Sequence, residues 1–140
     1  MKKLLASLCI GVALITTPIA FQSCVSTAPT SMSVAATDQV ILRAEQTAQT
    51  ARLTFNTLVH LERDNEAILK QASPEIHQWT NTVRLHGLDW ITSLRDATKA
   101  FKANRTPENQ ANLSTWISTL TNAVAQTNKY IAEARKVSQP

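Results

Sequence analysis

The sequence is poor in the residues that make turns and sheets. It has 2 glycines and 5 prolines among 140 residues, and aromatic residues make up 5% of the chain. A sheet with many turns needs these residue types in quantity, so the composition favours helices over a β fold. A chain of this length forms at most one domain.

Charged residues are also scarce, at 17% of the chain, against roughly 25% in an average soluble domain. The formal net charge of +4 is spread along the sequence, with no basic run and no basic residues interleaved with aromatics. A nucleic-acid surface needs a concentrated basic patch. We therefore expect no nucleic-acid partner.

The N-terminal region has the pattern of an export signal. An apolar run, residues 4–21, follows Lys2 and Lys3, and residues 4–37 contain no Asp, Glu, Lys or Arg. A positive start, an apolar run and then small residues are typical of a secretory signal peptide. The alternative is a single-span inner-membrane anchor, because the run approaches the ~20 residues that cross a bilayer.

A cysteine follows the apolar run in the sequence Phe21-Gln22-Ser23-Cys24. This stretch, FQSC, resembles the lipobox of bacterial lipoprotein signal peptides. The resemblance implies that the leader, residues 1–23, is cut before Cys24, and that Cys24 carries fatty-acyl chains such as palmitate that hold the protein at a membrane. Several acyl chains anchor a protein far better than one. The alternative is an ordinary cut after Ala20, which would release a soluble periplasmic protein.

The residues after Cys24 extend this prediction. Position 25 is Val, whereas Asp at that position resembles an inner-membrane retention signal of enterobacterial lipoproteins. By analogy we expect the periplasmic face of the outer membrane. Residues 24–37 are small and polar and include Pro29, so we predict a lipidated N-terminus and a flexible tether there. Removal of the leader leaves one cysteine, which excludes a disulfide or a cysteine-based zinc site within one chain.

Two proline signals divide residues 38–140. The tripeptides SPE at 73–75 and TPE at 106–108 each combine a capping hydroxyl, a proline suited to the first helical position and a glutamate near the positive end of the helix dipole. They predict helices over about 38–72, 74–104 and 107–136. Apolar residues recur at steps of three and four in each. Because short connections make neighbouring helices antiparallel, we predict an all-α fold, an up-down-up antiparallel three-helix bundle. The alternative is one long rod kinked at Pro74, with its apolar stripes buried between chains.

The apolar stripe of the first predicted helix ends with Leu58, Leu61, Asn65, Ile68 and Ala72. An asparagine within such a stripe can fix helix register as a buried polar residue. It can also mark a local drift of the stripe, in which the buried positions move around the helix, because 3.6 residues per turn do not divide seven evenly. We favour the drift.

The second predicted helix contains a glycine, Gly87, which costs ~1 kcal/mol relative to alanine inside a helix. We expect another helix or a tryptophan ring to pack against it. Leu85, Leu88 and Ile91 widen the apolar part of this helix. Two explanations remain open, a central position between both neighbouring helices and a contact with another molecule.

Trp79, Trp90 and Trp116 are the three tryptophans of the chain. We predict that they lie in the core or half in it. If two of them were exposed together, they would mark a surface that binds a partner. They are therefore the candidate partner surface.

No catalytic or cofactor-binding pattern occurs. His60 and Asp64 are four apart, and His86 and Asp89 are three apart, so each pair could place two metal ligands on one helix face. Neither pair belongs to a Glu-x-x-His or HExxH motif, and we predict neither a metal site nor a cofactor. We expect His77 to be exposed. Since no nucleophile, base and pocket come together, we predict that the protein is not an enzyme.

Together these features predict a small membrane-anchored bacterial lipoprotein, a non-catalytic structural or interaction module of the cell envelope. Its partner would be another envelope protein or a second copy of the chain. One alternative is an oligomeric helical scaffold or, by analogy of size and location, a phage-derived envelope or lysis-type lipoprotein. Another is a soluble secreted helical ligand carrier or enzyme.

Overall fold

The computed structural model describes residues 34–138, and these form four helices: α1 Val34–Asp64, α2 Glu66–Ala72, α3 Pro74–Ala103 and α4 Pro107–Ser138. No strand occurs within that range, which confirms the all-α prediction. The predicted count of three helices is wrong, because the first predicted helix is interrupted and forms both α1 and α2. In addition, α1 begins at Val34, inside the stretch for which the sequence predicted a tether.

The interruption lies at Asn65, whose side chain competes with the helical backbone. In an uninterrupted helix the backbone N–H of residue 65 would donate to the carbonyl of Leu61, four residues earlier. Here Nδ2 of Asn65 donates to that carbonyl at 2.9 Å. The backbone N–H of Asn65 donates to the Glu62 carbonyl instead, at 3.2 Å. Asparagine amides compete with helical hydrogen bonds in this way, and the chain makes a tight turn before α2.

Burial around this turn differs from the predicted stripe. Glu62 and Leu69 are buried, whereas Ile68 and Ala72 are exposed. The stripe therefore takes a step of four from Leu58 to Glu62, where the sequence had predicted a step of three to Leu61. The buried positions shift by one residue around Asn65, which agrees with the preference for a drift of the stripe, and the half-buried Asn65 also forms a hydrogen bond at a break between two helices.

The third helix runs back along the first. Glu45 of α1 bonds Lys102 of α3 at 2.6 Å, and Glu62 of α1 bonds Arg84 of α3 at 2.6 Å. Residue numbers thus rise along α1 while they fall along α3, so the two helices are antiparallel. The alternative of one long rod kinked at Pro74 is wrong, because α1 and α3 of one chain pack side by side.

The fourth helix runs back along the third and also packs against the first. Nδ2 of Asn109, near the start of α4, lies 3.4 Å from the carbonyl oxygen of Ala100, near the end of α3. Trp79, near the start of α3, donates to Thr127 of α4 at 3.0 Å. These pairs make α3 and α4 antiparallel. Consequently α1, α3 and α4 enclose one shared core, and the described residues form one compact unit.

The two proline signals start helices where the sequence predicted. Pro74 and Pro107 are the first residues of α3 and α4. The hydroxyl of Thr106 accepts a hydrogen bond from the backbone N–H of Asn109 at 3.2 Å, as a capping threonine does. Ser73 makes no side-chain capping bond, so the prediction of a capping hydroxyl is confirmed at one site and wrong at the other.

The core is apolar apart from a few satisfied polar side chains. The buried threonines donate to the carbonyl four residues earlier in their own helix, as Thr80 does to Ile76 at 2.8 Å. Within residues 38–138 no buried side-chain nitrogen or oxygen lacks a hydrogen-bond partner. The fully buried apolar side chains include Leu58, Leu69, Ile76, Leu94, Leu113 and Leu120. Full burial of a side chain of this size contributes ~1.5–3 kcal/mol.

Gly87 marks a close approach between α1 and α3. A Cβ atom built at this glycine would lie 3.1 Å from Cδ2 of Phe55. The Phe55 ring is buried and stands edge-on to Trp90, with ring centroids 6.0 Å apart. The sequence correctly predicted that a neighbouring group packs against Gly87, and that group is a phenylalanine ring.

Candidate interaction surface

The predicted lipidation site, Cys24, and the cleavage region of Phe21, Gln22 and Ser23 lie outside the described residues. The signal peptide over residues 1–23 and most of the predicted tether lie outside them too. Lipidation at Cys24 therefore stays a prediction. None of the four described helices combines the length and the apolar character that a membrane span requires.

The three tryptophans are half-buried and pack against the core, as predicted. Trp79 and Trp90 belong to one aromatic cluster, with ring centroids 6.2 Å apart. Tyr130 lies 6.2 Å from Trp79 on one side. Trp116 packs against the core from α4. Because each ring shows only part of its surface, the tryptophans contribute less accessible apolar area than fully exposed side chains do, and their binding role stays a prediction.

Two leucines of α3 are far more exposed. Leu85 and Leu88 have 72% and 73% of their surface accessible, and they lie three residues apart, on neighbouring turns of one helix side. The explanation that α3 buries these residues between two neighbours holds for Ile91, which lies in the core, and is wrong for Leu85 and Leu88. Their exposure favours the other explanation, a contact with another molecule.

A buried glutamate joins α1 to α3. Glu62 is 1% exposed, Nδ1 of His77 lies 2.6 Å from its Oε1, and Nη2 of Arg84 donates to its Oε2 at 2.6 Å. Nη1 of Arg84 donates to Oδ1 of Asn81 at 3.3 Å, and Nδ2 of Asn81 lies 3.3 Å from Nε2 of His77. The four side chains form a closed network, in which Nδ1 of His77 faces Glu62 and Nε2 faces Asn81.

This network was missed in the sequence because its members come from different helices. His77 and Arg84 follow Glu62 by 15 and 22 residues, beyond the reach of any helical periodicity. The expectation that His77 is exposed was wrong, as its side chain is 27% exposed. The available signal was Glu62 itself, a charged residue four positions after the core residue Leu58.

Both oxygens of Glu62 are occupied by cationic or hydrogen-bonding partners, so the carboxylate is held as a structural group.

The candidate metal pairs are not assembled into larger clusters. Nδ1 of His60 lies 3.0 Å from Nη2 of Arg63, and the His86 ring stacks on Trp90. Over the described range, no three His, Cys, Asp or Glu side chains gather as metal ligands would.

No protein-family model, curated protein or solved structure matches this chain significantly. The role of the protein must therefore be argued from its own side chains. The features that bear on it are the FQSC stretch at positions 21–24, the helical unit that begins ten residues after the cysteine, and the exposed leucines of α3.

Proposed function

We propose that this chain is a small bacterial lipoprotein, anchored to a membrane through acylated Cys24 and acting as a non-catalytic interaction module of the cell envelope. The observation that carries the proposal is FQSC directly after a basic start and an apolar run. The position of the cysteine supports it, since Cys24 precedes the first described helix by only ten residues.

The body of this lipoprotein is an up-down-up bundle of three helical segments, of which the first is interrupted. In this interpretation α1 and α2 together form the first segment, α3 forms the second and α4 forms the third. The antiparallel pairs Glu45–Lys102 and Trp79–Thr127 support it. Such a bundle presents long, stiff helix sides to a partner.

Two features of the described residues support an interaction role. The buried carboxylate of Glu62 is held by His77 and Arg84 and serves the packing of α1 on α3. In contrast, Leu85 and Leu88 are exposed on α3, where solvent contact gives them no stabilising role. On this view the protein faces the periplasm from the outer membrane and binds an envelope component.

Metabolic labelling with a palmitate analogue tests the anchor. We expect the wild-type protein to take up the label and to be recovered with membranes. Cys24→Ala removes the residue that would be acylated, so we expect no label. Cys9→Ala is the matched control, because it removes the leader's cysteine and should leave labelling unchanged. Equal labelling of the wild type and Cys24→Ala would overturn the proposal.

A further inference from the structure

A groove between α1 and α3 combines an apolar floor with a cationic rim. It has a volume of about 450 Å³ and is open to solvent. Phe55 and Ile91 form part of the floor, and Arg52, Arg84 and Arg95 line the rim. No carboxylate is among the described side chains that line it. The groove therefore presents three guanidinium groups beside apolar surface.

Two of these arginines form no ion pair with a described carboxylate. Arg84 is bound to Glu62, and three basic residues farther along the chain, Lys99, Lys102 and Arg105, are also paired with carboxylates. Arg52 and Arg95 take part in no ion pair among the described residues, although α1 and α3 bring them to one groove. This rim is thus a site of locally concentrated positive charge.

The rim continues into exposed apolar surface. Arg84, Leu88 and Arg95 lie along one strip of α3, separated by four and seven residues. Leu88 itself lines the groove, and Leu85 lies on the preceding turn, outside the groove. A folded surface with arginines next to exposed leucines has the amphipathic character of interfacial membrane-binding helices.

We propose that the α1–α3 face docks on anionic lipid headgroups, with Arg52 and Arg95 on the lipid phosphates and Leu85 and Leu88 at the boundary between headgroups and acyl chains. An acidic peptide seated in the groove would satisfy the arginines but would leave Leu85 uncovered. A lipid surface satisfies both features, because charge and apolar area lie side by side on it.

The length of chain before α1 fits this arrangement. The nine residues between Cys24 and Val34 span at most ~30 Å at ~3.3 Å per residue. Arg52 lies eighteen positions after Val34, or ~27 Å along the helix. A chain anchored at Cys24 can therefore lay this face on the same membrane. This step depends on the proposed function, whereas the lipid affinity of the face does not.

Vesicle binding by an unacylated protein tests the proposal. The processed chain, residues 24–140 with Cys24→Ser, contains all four described helices, and circular dichroism checks its fold. We expect it to sediment with vesicles of equal parts phosphatidylglycerol and phosphatidylcholine, and more weakly as salt is added. We expect Arg52→Gln with Arg95→Gln to weaken binding roughly twenty-five-fold, since each arginine at an anionic surface contributes about a factor of five.

A matched double variant separates this face from net charge. Arg43→Gln with Arg135→Gln removes the same charge from exposed positions that form no ion pair within the described range, and we expect binding to fall much less. Leu85→Ser with Leu88→Ser should weaken binding several-fold while the helical content is retained.

Several results would overturn the proposal. One is an equal loss of vesicle binding in the two double arginine variants. The others are binding to pure phosphatidylcholine vesicles as strong as binding to anionic vesicles, and no binding to anionic vesicles. Thermal stabilisation by inorganic phosphate or by poly-glutamate without vesicle binding would assign the rim to another anion. Because the protein in this assay carries no lipid, its outcome is independent of whether Cys24 is acylated in cells.

Discussion

At the scale of single residues, Glu62 shows how this fold holds a charge in its core. An ionised carboxylate removed from water costs several kcal/mol unless its partners are well placed. His77 and Arg84 both lie 2.6 Å from it and remain 27% and 39% exposed. Their outer parts therefore stay hydrated while their inner atoms satisfy the carboxylate. Glu62 thus fixes α3 against α1 without leaving a bare charge.

Substitution of Glu62 tests this role. Glu62→Gln keeps the shape of the side chain but removes the charge that both partners face, and we expect the free energy of unfolding to fall by about 1–3 kcal/mol. Urea denaturation followed by circular dichroism measures the change. A variant as stable as the wild type would show that the network adds nothing to stability.

An exposed glutamate on the next helix provides the control. A hydrogen bond from Lys70 lowers the pKa of Glu66. A lowered pKa means that this pair stabilises the fold at pH values above the ordinary pKa of a glutamate and stops doing so as the pH falls through the lowered one. Since Glu66 is exposed and solvent screens the pair, we expect Glu66→Gln to lower stability at neutral pH far less than Glu62→Gln does.

At the scale of elements, the sequence predicted helix boundaries well where covalent geometry sets them. Proline has a fixed φ and no N–H donor, and Pro74 and Pro107 begin α3 and α4 as predicted. The break at Asn65 was missed because asparagine is only a slightly poorer helix former than its neighbours. What ends α1 is one specific amide-to-carbonyl bond, which composition and periodicity do not reveal.

Replacement of Asn65 tests the origin of this break. Asn65→Ala removes the bond to the Leu61 carbonyl, which is worth about 0.5–1.5 kcal/mol. We expect the protein to be destabilised by about 1 kcal/mol in urea denaturation. Asn128→Ala is the control, because Asn128 is exposed within α4 and alanine is the better helix former. It should be neutral or slightly stabilising, and a stabilising Asn65→Ala would show that the break is not held by the side chain.

At the scale of the whole molecule, the sequence predicted the helical class but not the surfaces that helices make together. The scarcity of glycine and aromatic residues argued against a sheet. Apolar residues spaced three and four positions apart identified most of the core. The groove between α1 and α3 joins Arg52 to Arg95, 43 positions apart in the chain. Such a juxtaposition depends on which helices pack together and in which rotation, so a single sequence without solved relatives does not reveal it.

The oligomeric state follows from where the apolar residues are buried. The helices bury their stripes against one another within one chain, whereas a rod or scaffold would bury them between chains. Outside the α3 pair, the exposed large apolar side chains in the described part are Leu42, Leu53 and Ile68, too few for the roughly 1,000 Å² that a stable interface needs. We therefore expect the unacylated processed chain to sediment as a monomer at every concentration. A mass that rises with concentration would favour the oligomeric scaffold, and its loss in the Leu85→Ser, Leu88→Ser double variant would place the contact on α3.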